Sequence, residues 1–302
     1  MPEALRVEAV DHAYGPVRAL NGLTFSAASG RITGLLGRNG AGKTTTLELC
    51  EGLRQPQSGV IEVLGRSPWR AGAGHRSRVG VLLQEGGIPP DARVGAMLRH
   101  AGRLFASAAD PTQLAEELGI ADLLGRTFRS LSGGQRRSAA IACALVGRPE
   151  VLLLDEPTTG LDPASRRLVW DAIRRRAAEG VGVIWSTHAM DEAQQVADLV
   201  VIIDRGTVLA QGGPRDLMAD APVREFTGPA NLELQALRRN SPVPLEIAEV
   251  APGRYVLSGD IGPRAVAAVT AWSADQGFVP EGLTTTSRTL EDVFLDLTGG
   301  AQ

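Results

Sequence analysis

The 302-residue chain carries 31 Lys+Arg against 34 Asp+Glu, a formal charge of −3 and a pI near 5.9, which argues against a broadly basic, nucleic-acid-binding surface. At 43% hydrophobic it can build a substantial core. It has no apolar run approaching the ~18 residues of a membrane-spanning helix, and its first eleven residues, with Glu3, Glu8 and Asp11, lack an apolar signal region, so a cytosolic chain is expected.

The apolar pattern predicts strands over residues 5–10 and 23–27, with Tyr14 in the loop between them. A buried strand is predicted over 32–36. It runs into Gly37-Arg38-Asn39-Gly40-Ala41-Gly42-Lys43-Thr44, a complete G-x-x-x-x-G-K-[ST] phosphate-binding loop, and a helical pattern over 43–53 follows. Glycines at 37, 40 and 42 let successive backbone N–H groups point at phosphate oxygens, and the helix N-terminus adds its dipole. Lys43 is the only lysine of the chain; every other member of the Lys/Arg set is arginine. An ammonium is a compact charge on a flexible stem, whereas a guanidinium is a wide planar fork, so this is the position where arginine cannot substitute. Thr44 offers a hydroxyl to a magnesium ion. The arginine bias, with abundant Ala and Gly, points to a GC-rich bacterial genome.

Residues 79–84 read as a strand ending in Gln84. From 86 to 146 the pattern turns helical, with one apolar stripe of Met97, Leu98, Leu104 and Phe105 and another of Leu114, Leu118, Leu123 and Leu124. Leu131-Ser132-Gly133-Gly134-Gln135 precedes a helix over 136–146. Residues 151–156 form an apolar strand ending in Asp155 and Glu156. Asp162 and Pro163 then make an N-cap and first-turn pair, opening a helix to Gly180 with Leu168, Val169, Ala172 and Ile173 on its buried face. Strands over 183–188, ending in His188, and over 199–203 complete the region. Cys50 and Cys143 sit in apolar helical patterns without metal-ligand spacing and are expected as buried free thiols. Parallel strands alternating with helices indicate an α/β core with its ligand at the strand C-termini.

After residue 220 composition changes. Pro222, Pro229, Pro242 and Pro244 mark a linker, 245–250 and 254–257 read as a strand pair, and 265–272 reads as a helix. Thr289-Leu290-Glu291-Asp292 is a capping box, followed by Leu290, Val293, Phe294 and Leu297 at helical spacing. Residues 221–302 are therefore expected to form a small α+β domain.

In this order, the phosphate loop, Gln84 strand end, LSGGQ, Asp155-Glu156, Asp162 and His188 resemble the ATP-binding cassette (ABC) ATPases over roughly residues 3–220. The LSGGQ segment together with the phosphate loop is highly specific to that family. The resemblance implies a P-loop α/β core, an N-terminal antiparallel β subdomain, and a helical subdomain over about 87–145 that faces a membrane partner. It also implies ATP contacts by Tyr14, stacking on the base, and by Gly37, Asn39, Gly40, Ala41, Gly42, Lys43, Thr44 and Thr45. Magnesium would be held by Thr44 and Gln84, with Asp155 holding its water shell. Glu156 would polarise the attacking water, and His188 would sense the γ-phosphate. Gln135 and Asp162 would be further ATP-binding residues; Ser132 and the backbone amides of Gly133 and Gly134 would serve the ATP bound on the opposite subunit, so two chains must close head-to-tail as a homodimer or with a similar ATPase chain. Arg38 stands where the family often has proline, a departure that leaves phosphate binding intact because its side chain can point outward.

The closing segment 290–299 resembles the terminal motif of drug-resistance exporters, whose ATPases pair with a separate transmembrane permease at the cytoplasmic face of the membrane. That favours export of a drug, antibiotic or other hydrophobic compound over import. A soluble ABC ATPase acting on nucleic acid or ribosomes is the other reading. The chromosome-maintenance type, however, inserts a long coiled coil where this chain has only residues 45–130 without heptads, and the translation-factor type carries two cassettes in one chain.

Overall fold

The computed structural model describes residues 2–83, 87–218, 223–259, 262–286 and 289–299. The chain divides into two units, Met1–Pro214 and Arg215–Gln302.

The first unit opens with two long strands, β1 (Glu3–Tyr14) and β2 (Val17–Ala28), joined by a tight turn at Gly15 with φ +57°. Then come β3 (Ile32–Leu36), α1 (Lys43–Cys50), β4 (Ser58–Val63), α2 (Ala73–Arg76) and β5 (Val79–Leu82). A helical stretch follows: α3 (Val94–Gly102), α4 (Pro111–Glu117), two short 3₁₀ turns, and α5 (Gly133–Leu145). The core resumes with β6 (Val151–Asp155), α6 (Pro163–Ala178), β7 (Gly182–Thr187), α7 (Met190–Val196), β8 (Leu199–Asp204) and β9 (Thr207–Gly212), and the short α8 (Pro214–Leu217) runs across the division between the two units in the sequence.

Two sheets result. The strands β2-β1-β4 form an antiparallel sheet, and β5-β6-β7-β3-β8-β9 form a six-stranded sheet that is parallel except for β9. The large sheet is covered on both faces, which is why its strands read as near-continuous apolar runs. Along β6 the faces alternate: Leu152 and Leu154 join Trp185, Val169, Ile173 and Ile141 on the helical side, while Val151 and Leu153 join Leu35, Ile184, Leu47 and the β1/β2 residues Leu5 and Leu23 on the other.

The structure corrects several expectations. Helix α1 stops at Cys50 rather than 53, because the chain turns at Gly52 (φ +75°), where a Cβ would lie 2.3 Å from the Pro68 carbonyl. Leu168 is 37% exposed and lies at the edge of the α6 stripe formed by Val169, Ala172 and Ile173; its Cδ1 covers Gly119. Leu104 lies beyond the end of α3 and is exposed, while Phe105 packs on Gly147. Helix α5 begins at Gly133, three residues before the predicted start. Cys50 is buried and Cys143 only half-buried; burial pushes the Cys143 thiol up to about 12.

The second unit runs β10 (Val223–Thr227), α9 (Leu234–Asn240), β11 (Leu245–Ala251), β12 (Arg254–Gly259), α10 (Pro263–Asp275), β13 (Glu281–Thr286) and α11 (Leu290–Gly299). Its antiparallel sheet has the order β11-β12-β10-β13, so β12 lies between β10 and β11. This is the split βαβ arrangement of ferredoxin-like folds. Its core holds Phe226 stacked on Tyr255 at 5.0 Å, with Ile247, Leu257 and Trp272. The Tyr255 hydroxyl donates to the Pro229 carbonyl at 2.6 Å, which satisfies a buried polar group. The capping box before α11 forms: Thr289 N donates to Asp292 Oδ2 at 2.8 Å, and Asp292 N to Thr289 Oγ1 at 3.2 Å. Leu290, Val293 and Phe294 are buried, but Leu297 is 39% exposed and stands outside that stripe. Among the described residues no helix is long and apolar enough to cross a membrane.

Candidate active site

The site is built at one edge of the large sheet. Strands β6, β7 and β3 are neighbours, with Asp155 in register with Ser186 and Leu36 with Thr187. The segments leaving their C-terminal ends therefore emerge side by side: the phosphate loop after β3, Glu156 after β6 and His188 after β7. Parallel strands place loop-borne polar groups together in this way wherever helices cover both faces.

The phosphate loop owes its shape to its glycines. Gly40 and Gly42 have φ +82° and +108°, which side-chain-bearing residues rarely adopt. A Cβ on Gly37 would meet the Ile203 carbonyl at 2.5 Å, and one on Gly42 would meet Leu20 Cδ2 at 2.7 Å. Arg38, Asn39 and Gly40 form the exposed tip; Gly37, Ala41 and Gly42 are buried, Thr45 is half-buried and Thr44 exposed. Gly42 caps α1 with no side-chain hydrogen bond, so the first-turn N–H groups are available to an anion. Lys43 is 6% exposed and folds back, its Nζ donating to the carbonyls of Gly37 at 2.7 Å and Arg38 at 3.1 Å. Burial lowers its pKa, and the carboxylates of Glu156 and Asp155 partly oppose that shift.

Thr44 Oγ1 donates to Asp155 Oδ2 at 3.0 Å, and Ser186 Oγ donates to Asp155 Oδ1. Glu156 stands in the left-handed region at φ +47°, a conformation that costs a non-glycine residue about 1–3 kcal/mol and persists only where its surroundings hold it. Its N–H is held by the Ser186 carbonyl and Ser186 Oγ, each at 3.1 Å. Its carboxylate accepts from Thr159 Oγ1 at 3.1 Å and lies 2.9 Å from His188 Nδ1. Burial pushes the Glu156 carboxyl up; the His188 hydrogen bond and charge, the Thr159 hydroxyl and Lys43 together outweigh it and hold the group below its ordinary value. Lys43, Thr44, Asp155, Glu156 and His188 thus form one cluster. Gln84 lies outside the described residues.

The LSGGQ residues form a second patch. Ser132 Oγ accepts from Gln135 N at 3.2 Å, and Gln135 Oε1 accepts from Ser132 N at 3.1 Å, a reciprocal cap on α5 that leaves the first-turn amides of Gly133 and Gly134 in place. A Cβ on Gly134 would lie 2.8 Å from the Gly160 carbonyl, so only glycine fits. Asp162 caps α6, accepting from Ala164 N and Ser165 N at 3.0 Å. Tyr14, expected in the loop between the first two strands, is instead the last residue of β1, because the hairpin pairs it with Val17, and it is exposed. Its hydroxyl donates to Glu48 at 3.0 Å, and the Arg54 guanidinium lies 4.9 Å from its ring centroid.

Two partners escaped sequence reasoning. Ser186 holds both carboxylate-bearing residues but reads as an ordinary strand residue. Arg137 reaches from α5 to the carbonyls of Leu83, Asp155 and Glu156, yet in the sequence it is one of two adjacent arginines after LSGGQ with nothing to distinguish it.

Residues 20–159 match the family model described as ABC transporter. The chain is 35% identical, over 98% of its own length and 96% of the relative's, to the daunorubicin resistance ATP-binding protein DrrA3 of Streptomyces coeruleorubidus. It is 36% identical to the Nod factor export ATP-binding protein I of Ralstonia nicotianae, over 98% of this chain and 94% of that one. Among solved structures, an ATP-binding subunit of an ABC transporter superposes with TM-score 0.66 at 26% identity, covering 71% of this chain and 91% of that chain. With these likenesses and the strand-end cluster together, the chain belongs to the ABC transporter family, among its ATPase subunits of exporter type.

Proposed function

We propose that this chain hydrolyses ATP in a head-to-tail dimer and so drives a separate transmembrane permease at the cytoplasmic face of a bacterial membrane, exporting a drug-like or other hydrophobic compound. The observation that carries this reading is the convergence of Lys43, the Thr44–Asp155 pair and the Glu156–His188 pair at the ends of three adjacent strands. Phosphoryl transfer to water needs positioned charge more than covalent chemistry. Lys43 and the loop amides of residues 37–45 suit the β- and γ-phosphates. Glu156, ionised at neutral pH, suits the proton of the attacking water, and His188 suits the γ-phosphate side of the same carboxylate. Tyr14 offers a ring to the base.

Magnesium fits the donor set. Thr44 Oγ1 and Asp155 Oδ2 are hard oxygen donors 3.0 Å apart. When bound, the ion neutralises charge on those phosphates.

Ser132, Gly133, Gly134, Gln135 and Asp162 are assigned to the ATP held by the opposite subunit. The Ser132–Gln135 cap fixes the start of α5 and orients its first-turn amides, the kind of helix N-terminus that suits an anion. Relatives named for daunorubicin resistance and Nod factor export support an organic cargo chosen by the permease.

The test is complementation. Lys43→Ala and Ser132→Arg chains should each be inactive alone, and mixing them should restore ATP turnover at the one intact composite site. A monomeric chain with full activity overturns the reading.

A further inference from the structure

Arg137 lies on the second turn of α5, five residues after the Ser132 cap. Its guanidinium leaves the helix and ends among backbone carbonyls at the edge of the large sheet. Nη1 donates to the Leu83 carbonyl at 3.0 Å; Nη2 donates to the Glu156 carbonyl at 2.8 Å and to the Asp155 carbonyl. Three acceptors on two separate chain segments are thus gathered by one side chain. A guanidinium can do this because its donors are spread over a rigid fork; an ammonium concentrates its donors at one point.

The surroundings make this contact matter. The far half of α5 packs on the sheet through Ala139, Ile141, Ala142 and Leu145. Near its N-terminus, Gly134 packs on the Gly160 carbonyl, and beside that contact lies a cavity of about 660 Å³, lined by Arg137, Gly133, Glu156, Leu83 and Phe128 among others. Across that gap Arg137 spans from the signature helix to the backbone that carries the catalytic carboxylate. Glu156 is in a left-handed conformation, pinned on its N–H side by Ser186 and on its carbonyl side by Arg137. A shift of α5 therefore reaches the carbonyl of Glu156 directly through this side chain, beside the close packing of Gly134 on Gly160 a few residues further along the chain.

We propose that Arg137 is a positioning residue that couples the two ATP sites of the dimer, transmitting engagement of Ser132 with one nucleotide to the orientation of Glu156 at the other; this rests on the composite-site reading above. Because Ser132 serves the opposite nucleotide and Glu156 the chain's own, any rigid link between α5 and the end of β6 joins the two sites within one chain. Coupling of this kind requires an element that both sites bias, and the helix–arginine–carbonyl bridge supplies it.

The experiment is ATPase rate against ATP concentration for wild type, Arg137→Lys and Arg137→Met, with nucleotide-free melting as a control on folding. Wild type is expected to respond sigmoidally. Arg137→Lys keeps the charge but not the fork. It is expected to melt normally, lose about two- to thirtyfold in kcat with little change in half-saturating ATP, and respond hyperbolically. Arg137→Met should do the same or worse. A second measurement leaves Arg137 untouched and decides the matter if the variants do not fold. In the mixed dimer of Lys43→Ala and Ser132→Arg chains, the catalytic Glu156 belongs to the chain whose own Ser132 is disabled. Coupling places its turnover well below half that of the wild-type dimer, whereas independent sites give half. Retained sigmoidal kinetics in Arg137→Lys, hyperbolic kinetics in the wild-type dimer, or a half-rate mixed dimer overturns the coupling and leaves the composite site standing. Absence of any ATP-dependent dimer overturns both.

Discussion

Nδ1 of His188 lies 2.9 Å from Oε1 of Glu156, so the residue that follows one strand holds the carboxylate that follows its neighbour. Glu156→Gln keeps the size and loses the charge, and should lower turnover about 10²- to 10⁴-fold while leaving ATP affinity nearly unchanged. ATP-bound dimers should then accumulate, measured by gel filtration with Mg-ATP. Wild-type turnover in this variant would send the search for the base elsewhere. The pH dependence follows in sign. The folded carboxyl is held below its unfolded value of about 4.3, so its contribution to stability is present above that value and lost as pH falls through the folded one. Melting temperature of wild type relative to Glu156→Gln should be flat above about pH 6 and fall on the acid side of pH 5.

Lys43→Arg should abolish turnover as thoroughly as Lys43→Ala. The Nζ is buried between the Gly37 and Arg38 carbonyls, and a guanidinium there is too wide to point its charge along the loop axis. A nucleotide-binding titration beside the ATPase rate checks this; near-parent hydrolysis by the arginine variant refutes it.

Glu51 follows the last turn of α1, and its Oε2 is buried with no hydrogen-bond partner among the described residues. Burial, then Asp155, then Glu48 push its carboxyl up to about 7. The unfolded chain therefore releases this proton at lower pH than the folded one. Stability associated with Glu51 is fully present below about pH 4.5 and is lost as pH rises to about 7. Glu51→Gln removes the titration and should raise stability at pH 8 by up to about 3 kcal/mol relative to its effect at pH 4.5. Denaturant melts at the two pH values measure it; an equal effect at both would show that Glu51 titrates normally.

Gly42→Ala should damage both stability and binding. The φ of +108° strains any side-chain-bearing residue by about 1–3 kcal/mol, and the new Cβ would press on Leu20 Cδ2 and the Ala19 carbonyl. Gly40→Ala meets nothing within 4 Å and should lose less stability than Gly42→Ala despite its own positive φ. Thermal melts of the two variants, side by side, test the ordering.

What the chain settles locally could be read directly from it. The strand–loop–helix around Lys43, the Ser132 and Asp162 caps and the Thr289 capping box each depend on residues within a few positions of one another, so their spacing carries the geometry. Lys43 and Thr44 were legible for the same reason, whereas Asp155, Glu156 and His188, ordinary strand-end residues taken singly, were marked out by the order of motifs that resembles the ABC ATPases. Tertiary structure alone decided what joins distant segments. The strand order that seats β7 between β6 and β3, the antiparallel β9, and the interleaving of β12 between β10 and β11 depend on pairing across tens of residues, where no local period applies. Leu168, Leu104 and Leu297 hold apolar positions in the pattern yet face solvent, because helix ends and stripe edges are set by what packs against them. Arg137 and Ser186 matter largely through the backbone atoms they reach, and a backbone carbonyl or N–H 18 to 54 residues away leaves no mark in residue type.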